Sequence, residues 1–259
     1  MLLTLDIGNT EITVGLFRGA ELEAHWRLTT NPGRTPDEWG SAIGGFLLGA
    51  GHSPNEVRAV CLASVAPSVT QAVVAGIARS TGCTGVQVDA RSPLPVTLDV
   101  EEPLTVGADR IVNALAAVEL YHRDTIVVDF GTATTFDCVT ADGRFLGGVI
   151  MAGLRTAADQ LTRRTAKLPA TELEAPARVI GRRTEECIQA GVLYGTAEAV
   201  DGLVRRIRAE WPGGRHPHVV ATGGLASVVA PLTASIEETD PDLTLRGLRL
   251  AAAHLGLEW

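Results

Sequence analysis

Leu2-Leu3-Thr4-Leu5-Asp6-Ile7-Gly8-Asn9-Thr10 lies at the start of the chain, and Thr125-Ile126-Val127-Val128-Asp129-Phe130-Gly131-Thr132-Ala133 repeats its pattern near the middle. Each stretch reads as a buried strand ending in Asp, then a glycine turn, then a returning strand, at 11–17 in the first copy and 134–139 in the second. A second hairpin follows each time. Arg18-Gly19-Ala20 leads into 21–28, and the turn-forming pair Asp142-Gly143 leads into 144–151. Each half then passes through helical sequence and ends on an apolar strand, 59–63 before Ser64 and 218–221 before Thr222-Gly223-Gly224. This duplication predicts an α/β protein of two domains facing a cleft, with the first spanning 1–117 and the second 118–259. The boundary falls within or just after a helix that begins near Ala108.

The 259 residues suffice for two such cores, and the balance of 46 % hydrophobic to 20 % charged residues is that of a folded globular chain. A net charge of −8 opposes nucleic-acid phosphates and anionic membranes; the basic runs Arg163-Arg164 and Arg182-Arg183 are short. Neither nucleic acid nor a membrane is expected as a partner. The start of the chain runs directly into a strand pattern, so a cytoplasmic location is expected. Cys61, Cys83, Cys138 and Cys187 are far apart and form no zinc or disulfide pattern. His216 and His218 flank Pro217 in a stretch expected to be a solvated loop, and the four tryptophans form no stacking platform. Residues 184–208 carry Ile188, Val192, Leu193, Val200, Leu203, Val204 and Ile207 at helical spacing. That helix packs on its own domain or turns part of its face to a second subunit.

Phosphoryl transfer asks a protein to hold phosphates in line, to site a divalent ion and to accept a proton. Both Asp-x-Gly turns suit the first two tasks. Gly8 and Gly131 let the backbone approach phosphate oxygens, while Asn9, Thr10, Thr132 and Thr134 supply donors. Asp6 and Asp129, at strand ends, are placed to hold cations. One such turn is commonplace; two in equivalent positions carry the assignment. Thr222-Gly223-Gly224, after an apolar strand, adds a flat backbone against which an adenine ring can lie. Asp109, near a helix start, reads equally as a cap or as a base, and Arg110 as a solvated charge or as a carboxylate clamp.

In their order, Asp6-Ile7-Gly8-Asn9-Thr10, Gly107-Ala108-Asp109-Arg110, Asp129-Phe130-Gly131-Thr132-Ala133 and Thr222-Gly223-Gly224 resemble the signature motifs of type III pantothenate kinases. The likeness continues through Thr35-Pro36-Asp37-Glu38, Gly147-Gly148-Val149-Ile150, Thr165-Ala166-Lys167-Leu168-Pro169 and Ile180-Gly181, and so covers nearly the whole chain. The resemblance implies a duplicated actin-like, ribonuclease H-like fold and transfer of the ATP γ-phosphate to pantothenate, the first step of coenzyme A synthesis. It implies that Asp6, Ile7, Gly8, Asn9, Thr10, Glu11, Ile12 and Thr13 line the ATP phosphates, with Asp6 serving Mg2+, and that Thr132, Gly223 and Gly224 also meet ATP. By the same likeness, Asp129 binds K+ or NH4+. Gly107, Ala108, Asp109 and Arg110 hold pantothenate, with Asp109 as the base. Thr184 matches a substrate-contacting threonine supplied by the partner in a homodimer.

Three positions depart from the family pattern. Leu104 follows Pro103 where a tyrosine is usual, Ala152 replaces a proline before Gly153, and Arg183 replaces an asparagine before Thr184. All three lie near the acceptor motifs and none in the phosphate turns. Two other readings stay open: a kinase of another small acceptor on the same fold, and a catalytically silent regulatory relative. Retention of Asp6, Asp109 and Asp129 weighs against the second.

Overall fold

The computed structural model describes residues 1–259 and separates them into two compact units, Met1–Ala116 with Leu243–Trp259, and Ala117–Asp242. In the first unit, β1 (Leu2–Ile7), β2 (Glu11–Arg18) and β3 (Glu21–Thr29) form an antiparallel meander. The chain then crosses through α1 (Pro36–Gly49) to β4 (Ala59–Ser64), parallel to β1, and through α2 (Pro67–Thr81) to β5 (Gly85–Gln87), parallel to β4. The sheet order is β3-β2-β1-β4-β5. The two-residue β6 (Thr97–Leu98) precedes α3 (Ala108–Tyr121), within which the units divide.

The second unit repeats this plan. Strands β7 (Thr125–Phe130), β8 (Ala133–Val139) and β9 (Arg144–Ala152) form the meander. Helices α4 (Leu154–Arg164) and α5 (Thr184–Glu210) then lead to β10 (His218–Thr222), parallel to β7. The short α6 (Ala226–Val229) leads to β11 (Glu238–Thr239), parallel to β10. Strands β9, β8, β7, β10 and β11 thus lie side by side as β3, β2, β1, β4 and β5 do. The chain ends in α7 (Leu243–His254).

Local chemistry explains these elements. Leu2, Leu3 and Leu5 are fully buried, as are Ile126, Val127 and Val128, the expected state of a central strand covered on both faces. Helix α1 starts on a capping box, in which Thr35 Oγ1 accepts from the Glu38 amide and the Glu38 carboxylate accepts from the Thr35 amide, with Pro36 in the first turn. Helix α2 stops at Gly82, in left-handed backbone at φ 76°.

Two findings differ from the sequence reading. The expected second domain, 118–259, ends at Asp242, because α7 returns to the first unit. Leu243, Leu245, Leu248, Ala251 and Ala252 are buried there, and α7 packs on β1 and β4. Gly247 sits so close to the Val112 backbone of α3 that any side chain would clash. His218 is not in a solvated loop: it begins β10, is buried, and sets its two ring nitrogens 3.2 Å from Glu237 Oε2 and Glu238 Oε2. Of the cysteines, Cys61 and Cys138 are buried, and burial pushes the Cys61 thiol up to about 12, leaving it unreactive.

Candidate active site

The first glycine turn closes between Ile7 and Ile12, which face each other across β1 and β2. The Gly8 amide donates to Glu11 O at 3.0 Å, and a Cβ on Gly8 would stand 2.8 Å from that same oxygen, so only glycine fits. Asn9 and Thr10 project into solvent at the tip, with Asp6 half-buried at the strand end. The segment after β3 braces the turn: the Thr30 amide donates to Thr10 O at 2.9 Å and Thr30 Oγ1 donates to Gly8 O at 2.7 Å. Thr30 went unnoticed in the sequence, where a threonine after a strand carries no particular signal.

The same end of β1 reaches the Gly107–Arg110 motif. The Val65 amide, just past β4, donates to Ile7 O at 3.0 Å, and Val65 Cγ1 lies against Gly107, 3.4 Å from where its Cβ would be. The missing side chain of Gly107 leaves the space that the Asp109 carboxylate occupies. Asp109 Oδ1 accepts from the Arg110 amide at 2.8 Å in the first turn of α3. Burial raises the Asp109 pKa, and it prevails over that hydrogen bond and the neighbouring Arg110 charge, both of which favour the anion. A carboxylate destabilised in this way takes up a proton more readily, as a general base must. Leu104, beside the motif, is 63 % exposed.

The second turn is one residue shorter, running between Phe130 and Thr134, and the Gly131 amide donates to Ala133 O at 3.1 Å. Its bracing comes from the start of α4. The Gly153 amide donates to Thr132 O at 3.1 Å, and Thr156 Oγ1 donates to the same oxygen at 2.7 Å. A Cβ on Gly153 would sit 2.5 Å from Thr132 O. Gly223, with φ 88°, presses on the Asp129 carboxylate, and its Cβ would be 2.8 Å from the Phe130 amide. Thr222 lies opposite Asp129 in the β7–β10 register, on the same face of the sheet, and its buried hydroxyl has no hydrogen-bond partner. Gly224, by contrast, is exposed.

Thr184 opens α5 and is exposed. It lines a groove of about 660 Å3 with Met151, Leu161, Leu168, Cys187 and Ile188 among others. Gly191 and Gly195, also in the groove, have open space where side chains would be. The structure thus gathers Asp6–Thr13 and Gly107–Arg110 at one sheet end of the first unit. It gathers Asp129, Thr132, Gly223 and Gly224 at the corresponding end of the second, and sets Thr184 on a separate groove of that second unit.

The donor sets fit the cations that the resemblance implies. No cluster of three or more His, Cys, Asp or Glu side chains exists to cage a metal. A single carboxylate such as Asp6 at a phosphate turn suits a divalent ion that takes its remaining ligands from water and phosphate. Beside Asp129, the unpartnered Thr222 hydroxyl is an additional neutral oxygen.

A duplicated strand–turn–strand sheet carrying paired glycine turns is the build of the actin-like class of ATP-handling phosphotransferases. Component A of the (R)-2-hydroxyglutaryl-CoA dehydratase of Acidaminococcus fermentans shares the fold, with a TM-score of 0.58 at 17 % identity over 98 % of this chain and 96 % of that one. The family model for type III pantothenate kinase matches residues 2–206. A type III pantothenate kinase of Thermomicrobium roseum is 46 % identical over 97 % of this chain and 96 % of its own length. One of Moorella thermoacetica is 44 % identical over 96 % and 98 %. The chain belongs to the type III pantothenate kinase family.

Proposed function

We propose that this chain transfers the γ-phosphoryl group of ATP to the primary hydroxyl of pantothenate, with Asp109 as the base. The observation that carries the assignment of the base is the Asp109 carboxylate, held in the space left by Gly107, raised in pKa by burial, and linked through Val65 to the first phosphate turn. The family activity depends on ATP and a divalent metal, for which Mg2+ is proposed. When bound, that ion spreads the negative charge of the phosphates.

The protein's own groups do the rest. The Gly8–Thr10 backbone and the side chains of Asn9, Thr10 and Thr13 orient the phosphates, with Thr132 acting from the second turn. Gly223 and Gly224 accept the adenine face. Arg110 pairs with the pantothenate carboxylate, a planar match that lysine would not reproduce. As the acceptor oxygen bonds to phosphorus and the bond to the ADP oxygen breaks, the hydroxyl proton passes to Asp109. A positioned base of this kind is worth roughly 10²–10⁴-fold. Asp129, with Thr132 nearby in the turn, is proposed as the K+ or NH4+ position.

Thr184 is proposed to meet the acceptor from the partner subunit of a homodimer. The open groove along α5, apolar and floored by Gly191 and Gly195, supports close packing of a second copy there.

An ADP-release assay with ATP, Mg2+ and K+ tests this reading by comparing pantothenate with glucose, acetate and no acceptor. Turnover only with pantothenate supports it, and equal turnover with another acceptor overturns it. Asp109→Asn is expected to lower kcat by roughly 10²–10⁴-fold while ATP binding persists. Because Asp109 must be ionised to act, kcat/KM should fall on acidification at a pH above the ordinary aspartate range. The same burial favours the neutral acid in the folded chain, so the ionised carboxylate costs stability above its raised pKa. Asp109→Asn should therefore melt at a higher temperature than the parent at neutral pH, while losing turnover. A variant that melts lower and keeps its rate would remove Asp109 as the buried base.

A further inference from the structure

Thr30 belongs to none of the motifs read in the sequence, yet it holds the first glycine turn at two points. The two bonds differ in kind. The Thr30 amide donates to Thr10 O at 2.9 Å, which any residue but proline could do, whereas the bond to Gly8 O at 2.7 Å comes from the hydroxyl. Gly8 O accepts from no backbone amide, so the Thr30 side chain is what holds that carbonyl. Gly8 itself, lacking a Cβ, does little to restrain its own backbone.

The second turn provides an internal comparison. Gly153 follows β9 as Thr30 follows β3, and its amide donates to Thr132 O at 3.1 Å. Glycine has no hydroxyl, and the side-chain bond comes instead from Thr156, to the same Thr132 O at 2.7 Å. Thr132 O therefore keeps a backbone donor if the hydroxyl is removed. Gly8 O does not.

What the hydroxyl fixes follows from peptide geometry. In a planar trans peptide the C=O and N–H bonds point in opposite directions, so a Gly8 carbonyl turned to Thr30 turns the Asn9 N–H away from it. Asn9 is exposed, and its amide donates to no other group of the chain. A donor left open at the tip of a glycine turn suits an anionic oxygen. Rotation of this peptide plane would exchange the donor for a carbonyl, which repels the same oxygen. We propose that Thr30 is a positioning residue for nucleotide binding: its hydroxyl locks the Gly8–Asn9 peptide so that the Asn9 amide meets a phosphate oxygen of ATP. This rests on the reading of the first turn as a phosphate site. Thr30 acts through Gly8 and need not touch the nucleotide.

The test compares the full-length parent with Thr30→Val, which keeps the shape and the amide but loses the hydroxyl, and with Thr30→Ser, which restores it. Thr156→Val is the matching change at the second turn. Calorimetric titration gives Kd for ATP with Mg2+, and initial rates give KM for ATP and for pantothenate. Thr30→Val should weaken ATP in both Kd and KM by roughly 5–10-fold, the loss of one neutral hydrogen bond. KM for pantothenate should stay within about twofold of the parent, as should ATP affinity in Thr30→Ser and Thr156→Val. A merely structural role would lower the melting temperature and leave Kd of the folded enzyme where it was. Unchanged ATP affinity in Thr30→Val overturns the proposal, as does an equal weakening in Thr30→Ser or Thr156→Val, or a loss shared by pantothenate. A parent that binds no ATP defeats the functional reading and this inference together. ATP binding by the parent that Thr30→Val leaves intact defeats the positioning role alone.

Discussion

The two glycine turns carry the same motif and meet their steric demands in different places. In the first, the crowding is inside the turn: Gly8 has no room for a methyl group because the Glu11 carbonyl closes over it. In the second, a Cβ on Gly131 would sit at an ordinary 3.4 Å from Ala133 O, and the crowding has moved outward to Gly153 and Gly223. The first turn is longer and held by one residue, Thr30, through its amide and hydroxyl; the second is shorter, and its Thr132 carbonyl accepts from the Gly153 amide and the Thr156 hydroxyl at the start of α4. A repeated motif can therefore keep its strand–glycine–strand form while transferring the packing constraint to other parts of the chain.

That contrast can be broken by substitution. Gly153→Ala should have the largest effect, about 2–3 kcal/mol of stability, because its methyl group would collide with fixed carbonyls of the second turn rather than with a mobile side chain. A variant that melts like the parent would show that the turn shifts freely. Asp129→Asn should cost about tenfold in activity with K+, roughly 1.4 kcal/mol in the barrier, and flatten the difference between K+ and Na+. An unchanged K+ preference would move the monovalent site away from Asp129. Gly8→Ala follows at about 1–2 kcal/mol, with a raised KM for ATP. Gly131→Ala should be smallest, within about 0.5 kcal/mol in thermal unfolding. Equal losses at Gly8 and Gly131 would erase the distinction between the turns.

Much of this was legible in the sequence because the signals are short-ranged. A fully buried strand needs a run of apolar residues, the turn needs glycine, and the hairpin needs its Asp-Gly pair, so β1, β2, β7 and β8 could be read almost to the residue. Helix α5 was equally clear from its apolar spacing. The destination of α7 was not, since the stripe of Leu243, Leu248 and Ala252 says that a sheet is covered but not which one. Edge strands β5 and β11, three and two residues long, hold too little pattern to see. His218 looked loop-like beside Pro217 because its partners, Glu237 and Glu238, are remote in sequence. Gly153 and Thr222 stood in motifs of the sequence, but what each does there is set by contacts the sequence does not show: the carbonyls of another turn for one, a strand register for the other.

The return of α7 has a consequence for how the molecule is made. Because Leu243–Trp259 belongs with Met1–Ala116, the second unit is one continuous stretch, whereas the first is split between the two ends of the chain. During synthesis the nascent β1 and β4 leave the ribosome first and wait with one flank uncovered, while the second unit emerges whole and can fold as a block. Strands made before the second unit are thus covered by a helix made after it.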